Sequence, residues 1–302
     1  MEFTAERFSG HESFVCRYGW LRKVFDAVQA SPEILRNDSE ATERLGIGRN
    51  MVRSLQFWGE ATGIIQVAPG EGKGHVTGPT GQLLFGAGGW DPFLEKTESL
   101  WLLHWWICAH ANIAAWNAVF GDVSMARFEK SDLVARLTKR GAVNTRTLAQ
   151  STIEQHTSIF LQTYVRTGDS VDDSLWCPLQ DLKLVRAVPS RAGSIIYDCS
   201  VASPIGLSVR IFTAALVHLF RAQPANRRSL PLHELSQAAL SPGAIFRLDE
   251  SQLYDFLQQS ENLTVGLIRL IDTADTQTVV CDEQLLSSAD YIFSLLDVQA
   301  YV

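Results

Sequence analysis

The sequence predicts a mainly α protein with small β-hairpins, of the α+β class, led by a winged helix-turn-helix. Three observations predict it. Apolar residues recur at helical spacing along most of the chain. Gly46-Ile47-Gly48 separates two helical runs, and two short β-prone runs follow them. The remaining β-prone runs are also short and stand near turn residues. A chain of 302 residues suggests two or three domains. The expected division is a winged-helix-like domain over residues 1–90, a helical middle domain over 91–190 and an α+β domain over 191–302.

From the N-terminus, Leu21, Val24, Phe25 and Val28 mark one face of a helix that stops before Ser31-Pro32. Glu40 to Leu45 is a short helical run, and periodicity resumes from Arg49 through Val52, Leu55 and Phe57 or Trp58. Gly63 suits the end of that helix. Ile64 to Val67 and His75 to Thr77 read as a hairpin around the tip Pro69 to Gly74. Asp91 with Pro92 reads as a helix start, with Asp91 at the N-cap. One buried helix is expected near 98–120. Asp132 to Leu137, a break at 141–144 and a helix capped by Thr145 form a second helix-turn-helix-like segment. Further on, Ile195 to Asp198, Leu263 to Ile271 and Gln277 to Val280 read as strands, and Phe212 to Phe220 and Ser251 to Gln259 as helices. No internal sequence repeat is evident.

Composition narrows the class. With 46% hydrophobic residues the chain is no disordered tail. Five widely spaced cysteines, an odd number, suit reduced thiols in a cytoplasmic protein. Leu100 to Phe120 is apolar, but His104, His110, Asn112 and Asn117 interrupt it, so no membrane span is expected. The net charge is −7. Residues 121–166 nevertheless hold seven Lys or Arg against four Asp or Glu, while 167–302 hold nine against sixteen. The basic stretch faces a polyanion or is simply a solvated helix pair.

The helix after Gly48 would present Arg49, Asn50 and Arg53, side chains able to contact phosphates and base edges in a major groove. Lys73 at the hairpin tip and Lys139, Arg140 and Arg146 around the second break complete the expected DNA-binding set. The same unit would equally serve a protein–protein module. His104 and Cys108 share a helical face, which fits an aromatic core better than a metal site, and no metal ligands are assigned. Nucleotide-binding glycine loops, G-x-S-x-G and H-E-x-x-H are all lacking. Glu71-Gly72-Lys73 matches only a three-residue nuclease fragment. The most chemically loaded run is Gly10-His11-Glu12-Ser13 with Arg17: a general base, a carboxylate and a phosphate brace as candidate catalytic residues, or else a cap and core packing. His11 and Glu12 can share a site only if the segment turns.

Phe8-Ser9-Gly10-His11-Glu12-Ser13-Phe14 with Arg17, Gly19-Trp20-Leu21, Leu45 to Val52, Phe57-Trp58, Asp91 to Glu95 and Leu102 to Trp105 together resemble the bacterial domain of unknown function family 4007. The likeness is sharpest over residues 8–106. That family resembles the DNA-nicking component of single-stranded DNA phosphorothioation (Ssp) defence systems, which replace a non-bridging phosphate oxygen by sulfur. The resemblance implies a DNA-binding protein that nicks DNA to allow sulfur insertion. It further implies Mg²⁺ or Mn²⁺ as cofactor, sulfur-transfer and ATPase proteins as partners, and room for a homo-oligomer. The competing expectation is a non-catalytic winged-helix DNA-binding adaptor or transcriptional regulator.

Overall fold

In the computed structural model the described residues are 5–70, 74–142, 148–166, 176–190, 193–200, 202–224, 227–273, 276–287 and 295–296. The described residues are mainly helical with three small antiparallel sheets. The chain forms two compact units, Met1–Ala118 with Arg127–Asp198, and Val119–Ala126 with Cys199–Val302. Among the described residues no helix is long and apolar enough to cross a membrane.

In the first unit, α1 (Trp20–Ala30) buries Trp20, Leu21, Val24, Phe25 and Val28, and ends at Ser31. α2 (Asp38–Leu45) starts earlier than its apolar spacing suggested. The Asn37 side chain accepts hydrogen bonds from the Ser39 and Glu40 amides and supplies the cap. Gly46, at φ 66°, closes α2 in the left-handed region. α3 (Arg49–Ala61) buries Val52, Leu55, Phe57 and Trp58. β1 (Ile65–Val67) then pairs with β2 (His75–Thr77) in the register Ile65↔Thr77. α4 (Pro79–Phe85) completes this part.

Two sequence readings need correction here. Asp91 is not an N-cap, because the next helix, α5 (Thr97–His110), begins six positions later. The Asp91 carboxylate is buried and holds a turn instead, accepting from the Glu95 and Lys96 amides, both at 3.0 Å, and from Ser99 Oγ at 2.6 Å. The single helix expected near 98–120 is two, α5 and α6 (Ala114–Phe120). Asn112 adopts φ 49°, and the N-terminal segment takes the freed backbone groups: Arg7 N–H donates to Asn112 O, and Ala114 N–H donates to Arg7 O. The aromatic content of this region packs inward, with Trp58, Trp101, Trp105 and Trp116 fully buried. His104 and Cys108 lie in that core. The Tyr164 hydroxyl bonds His104 Nδ1 at 2.7 Å and accepts from Trp116 Nε1 at 2.8 Å.

β3 (Arg127–Glu129) leads into α7 (Lys130–Gly141), α8 (Gln150–Tyr164), β4 (Arg186–Pro189) and β5 (Ile195–Asp198). The sheet order is β3-β5-β4, so the second strand of the hairpin pairs with the leading strand. The second unit repeats this connectivity. After α9 (Val209–Arg221) come β6 (Ser229–Pro231), α10 (Leu232–Gln237), α11 (Pro242–Phe246), α12 (Glu250–Leu263), β7 (Ile268–Asp272) and β8 (Gln277–Cys281), in the order β6-β8-β7. Phe212 and Phe256 stack at 5.0 Å between α9 and α12. The strand expected from Leu263 starts only at Ile268, because α12 runs through Leu263 and turns at Val265 (φ 51°) and Gly266 (φ 80°).

Candidate functional site

The loaded N-terminal run lies against α3 and α8 and is fixed at each step. Glu6 binds Arg140 and Asn117. Arg7 places its guanidinium 4.5 Å over the Phe57 ring and 3.8 Å from Glu60. Phe8 is buried. Gly10 adopts φ 110°, and a Cβ there would meet Phe57 Cδ2 at 2.7 Å, so only glycine fits. Phe14 O accepts from Trp58 Nε1 at 2.9 Å and from Ser54 Oγ at 3.3 Å.

Between these anchors the chain reverses. Phe14 N–H donates to His11 O at 2.8 Å, and Glu12 (φ 47°) and Ser13 (φ 67°) occupy the left-handed region in succession. Two positive φ values at the centre of a four-residue turn define type I′, a turn that ordinarily uses Asn and Gly. A glutamate and a serine in those places store strain of order 1 kcal/mol each. Gln155 of α8 bonds Ser13 and helps hold the turn.

The turn separates the three candidate catalytic residues. His11 points inward and is 2% exposed. Glu12 stays half-buried at the turn. Arg17 lies over the rings of Phe14 and Trp20, at 5.6 and 5.4 Å. The partner of His11 is His156 of α8, Nε2 to Nδ1 at 3.0 Å. His156 Nε2 accepts from the Ala115 amide at 3.2 Å. The tautomers follow from this chain of bonds. With Nε2 accepting, a neutral His156 carries its proton on Nδ1 and donates it to His11 Nε2, which leaves the His11 proton on Nδ1. That Nδ1 is buried without a hydrogen-bond partner. Burial, then the nearby Arg7 guanidinium, pushes the His11 pKa down to about 4. Burial, then His11, pushes His156 down to about 3.

His156 was missing from the sequence reading, although a signal existed. It lies on the stripe Ile153, His156, Phe160 and Tyr164, the buried face of α8. A histidine on such a stripe must find a partner inside.

The expected DNA-binding residues fall into three groups. Arg49, Asn50 and Arg53 are exposed on the first turns of α3. Asp38 faces both arginines, at 3.6 Å from Arg49 and 2.8 Å from Arg53. In the second group, Lys139 is exposed, whereas Arg140 is engaged by Glu6 and anchors the N-terminal segment. Lys73 and Arg146 lie outside the described residues, as does the Thr145 cap.

No set of three or more His, Cys, Asp or Glu side chains gathers as metal ligands among the described residues. Mg²⁺ needs no such set, since one or two carboxylates together with water and substrate phosphates ordinarily hold it.

A search of the curated proteins finds none that matches. Among solved structures, a crystal structure of SspB superposes with a TM-score of 0.81 at 25% identity, covering 96% of this chain and 86% of that one. A magnesium ion-bound crystal structure of SspB superposes at 0.82 with the same identity and coverage. The family model described as protein of unknown function (DUF4007) matches residues 8–295. That span holds the strained turn, the paired histidines and both copies of the strand–helix–hairpin connectivity, and the chain belongs to the DUF4007 family.

Proposed function

We propose that the protein is a DNA-binding component of a DNA phosphorothioation system and that it nicks DNA to give sulfur-insertion partners access. The observation that carries DNA binding is the start of α3. α2, the Gly46–Gly48 turn, α3 and the β1-β2 hairpin follow one another in the order of a winged helix-turn-helix. In that reading α3 is the recognition helix. Arg49 and Arg53, four residues apart, project on one face with side chains 65% and 50% exposed. Their ion pairs with Asp38 are surface pairs, worth at most about 1 kcal/mol, so a phosphate can displace the carboxylate. The connectivity of the two three-stranded sheets, first strand pairing with third, is also that of winged helices.

The similarity to SspB and the sequence resemblance to the Ssp nicking component support the wider assignment. For the chemistry, hydrolysis of one phosphodiester bond by water, the turn offers Glu12 as the carboxylate, and Arg17, beyond the turn over the Phe14 and Trp20 rings, is the proposed phosphate brace. His11, buried under the turn, is a positioning residue. Sulfur-transfer and ATPase proteins are the proposed partners.

Duplex binding measured by fluorescence anisotropy over a salt series tests the DNA reading. Arg49→Ala/Arg53→Ala should weaken binding and make the slope of log K against log [salt] shallower by about 2. An unchanged slope moves the contact surface elsewhere. Supercoiled plasmid incubated with Mg²⁺ or Mn²⁺ tests the chemistry. Open-circular product that disappears with Glu12→Gln supports nicking, and no product with either ion leaves the non-catalytic adaptor.

A further inference from the structure

A groove of about 580 Å³ in the first unit belongs to none of the residues assigned above. Arg22, Lys23, Ala27, Ala30, Arg44 and Phe93 line it. Phe93 is 77% exposed, although a phenylalanine is ordinarily buried. The local backbone holds it outward. Asp91, 4% exposed, uses both carboxylate oxygens to bind the following amides and Ser99, and Leu94 is buried in the left-handed region at φ 55°. A turn fixed by a buried carboxylate and a strained neighbour presents the ring as a firm platform.

Basic side chains line the groove with the ring. Three basic side chains line the groove against one acid, Asp26. Arg22 is paired with Asp26 at 2.8 Å, Arg44 with Glu40 at 3.6 Å, and Lys23 Nζ donates to Leu45 O at the end of α2. The two ion pairs are exposed, 41% and 50% for the Arg22 and Asp26 side chains and 49% and 51% for Arg44 and Glu40, and a phosphate can compete for their arginines. Small side chains, Ala27 and Ala30, leave the floor open. An aromatic face and basic side chains lining one groove is the arrangement that binds single-stranded nucleic acid: the ring stacks on a base and the cations follow the backbone. Lys23 and Arg44 border the Gly46–Gly48 turn, so the groove adjoins the start of α3.

We infer that this groove is a single-stranded DNA site, with a base stacked on Phe93 and the adjoining phosphates held by Arg22, Lys23 and Arg44. The inference deepens the DNA-binding reading, and it gives the protein a place for an unpaired strand distinct from the duplex contacts of α3. No base-edge readout is built in, so binding is tolerant of sequence.

The test uses the full chain and a short fluorescent oligothymidylate, followed by anisotropy, with a blunt duplex measured in parallel. Loss of one stacked base costs on the order of ten- to a hundred-fold in affinity. Phe93→Ala should weaken oligothymidylate binding at least tenfold and Phe93→Trp should retain it, while duplex binding stays at the wild-type level. Arg22→Gln/Arg44→Gln should lower single-strand affinity and its salt dependence. Oligothymidylate binding by Phe93→Ala equal to wild type overturns the inference. So does a loss of self-association in Phe93→Ala without any change in DNA binding, which makes the groove a protein surface. The two readings fail separately. Arg49→Ala/Arg53→Ala reports on α3 through the duplex, and Phe93→Ala reports on the groove through the single strand.

Discussion

Acidification should unfold this protein through the His11–His156 pair, and the size of the effect follows from the bond geometry. His156 Nδ1 already donates to His11 Nε2. A proton added to His11 Nε2 would face that donor head-on, and a proton on His156 Nε2 would face the Ala115 amide. Charging either ring therefore breaks a buried bond. In the fold the pair stays neutral to about pH 4 for His11 and about 3 for His156. In the unfolded chain both rings charge below about pH 6.5. Between those limits the unfolded state binds more protons, so stability falls as pH falls. From pH 7 to pH 5 each ring contributes a loss of about 2 kcal/mol, and the pair about 4 kcal/mol. That is a large part of a typical total of roughly 5–15 kcal/mol. Urea unfolding at pH 7 and pH 5 measures it. Carboxylates titrate in every variant, so the informative quantity is the difference between wild type and His11→Gln/His156→Gln, whose side chains do not titrate. The variant should be less stable at pH 7 and should lose about 4 kcal/mol less than wild type on going to pH 5. Parallel losses in the two proteins would refute the reasoning, because they would mean that the rings bind protons equally in both states.

Two further substitutions probe the frame around the site. Gly10→Ala meets both a φ of 110° and a contact of 2.7 Å with Phe57, so it should cost about 2–3 kcal/mol and lower Tm by several degrees. Tyr164→Phe removes the acceptor of Trp116 Nε1 and the hydroxyl that bonds His104, a loss of about 1–3 kcal/mol that should appear as a lower urea midpoint with an unchanged slope.

The elements that depend on local chemistry were legible in the sequence, and those that depend on distant partners were not. α1, α3 and the β1-β2 hairpin follow from helical spacing, Gly46 and Gly63, and alternation of short β-prone runs. The break between α5 and α6 was hidden, because Asn112 leaves the helix only when Arg7, more than a hundred positions away, supplies the replacement hydrogen bonds. Asp91 misled for a related reason. Asp-Pro is a good helix start, but here the carboxylate bends the chain for six residues before α5 begins. At the site, the sequence singled out His11, Glu12 and Arg17 by type and could not place them. The recurrence of strand–helix–hairpin connectivity in both units left no trace at all, since connectivity constrains only where turns fall and which faces are apolar.

The turn at Glu12-Ser13 resolves a conflict the sequence left open. Adjacent side chains on a strand point to opposite faces, so His11 and Glu12 could cooperate only through a reversal of the chain. The reversal is present, yet it does not bring the two together. It sends the imidazole into the core, where Nε2 is used as an acceptor and Nδ1 holds a proton. With neither nitrogen offering a lone pair, His11 in this arrangement has no means to take a proton from water. Its contribution is mechanical: one end of a buried bond that holds two residues in a backbone region they disfavour. The Gly10 kink, the His11–His156 bond and the Phe14 carbonyl bonds to α3 are what offset that strain. A carboxylate presented this way is fixed to within the freedom of its own side chain, which is what positioning against a phosphate requires. It also ties the two behaviours together, because the proton that breaks the histidine pair releases the turn that presents Glu12. Any activity that depends on Glu12 should therefore fall as pH drops through about 4, where the folded pair takes up its first proton, and not with the ionisation of a single exposed histidine near pH 6.5.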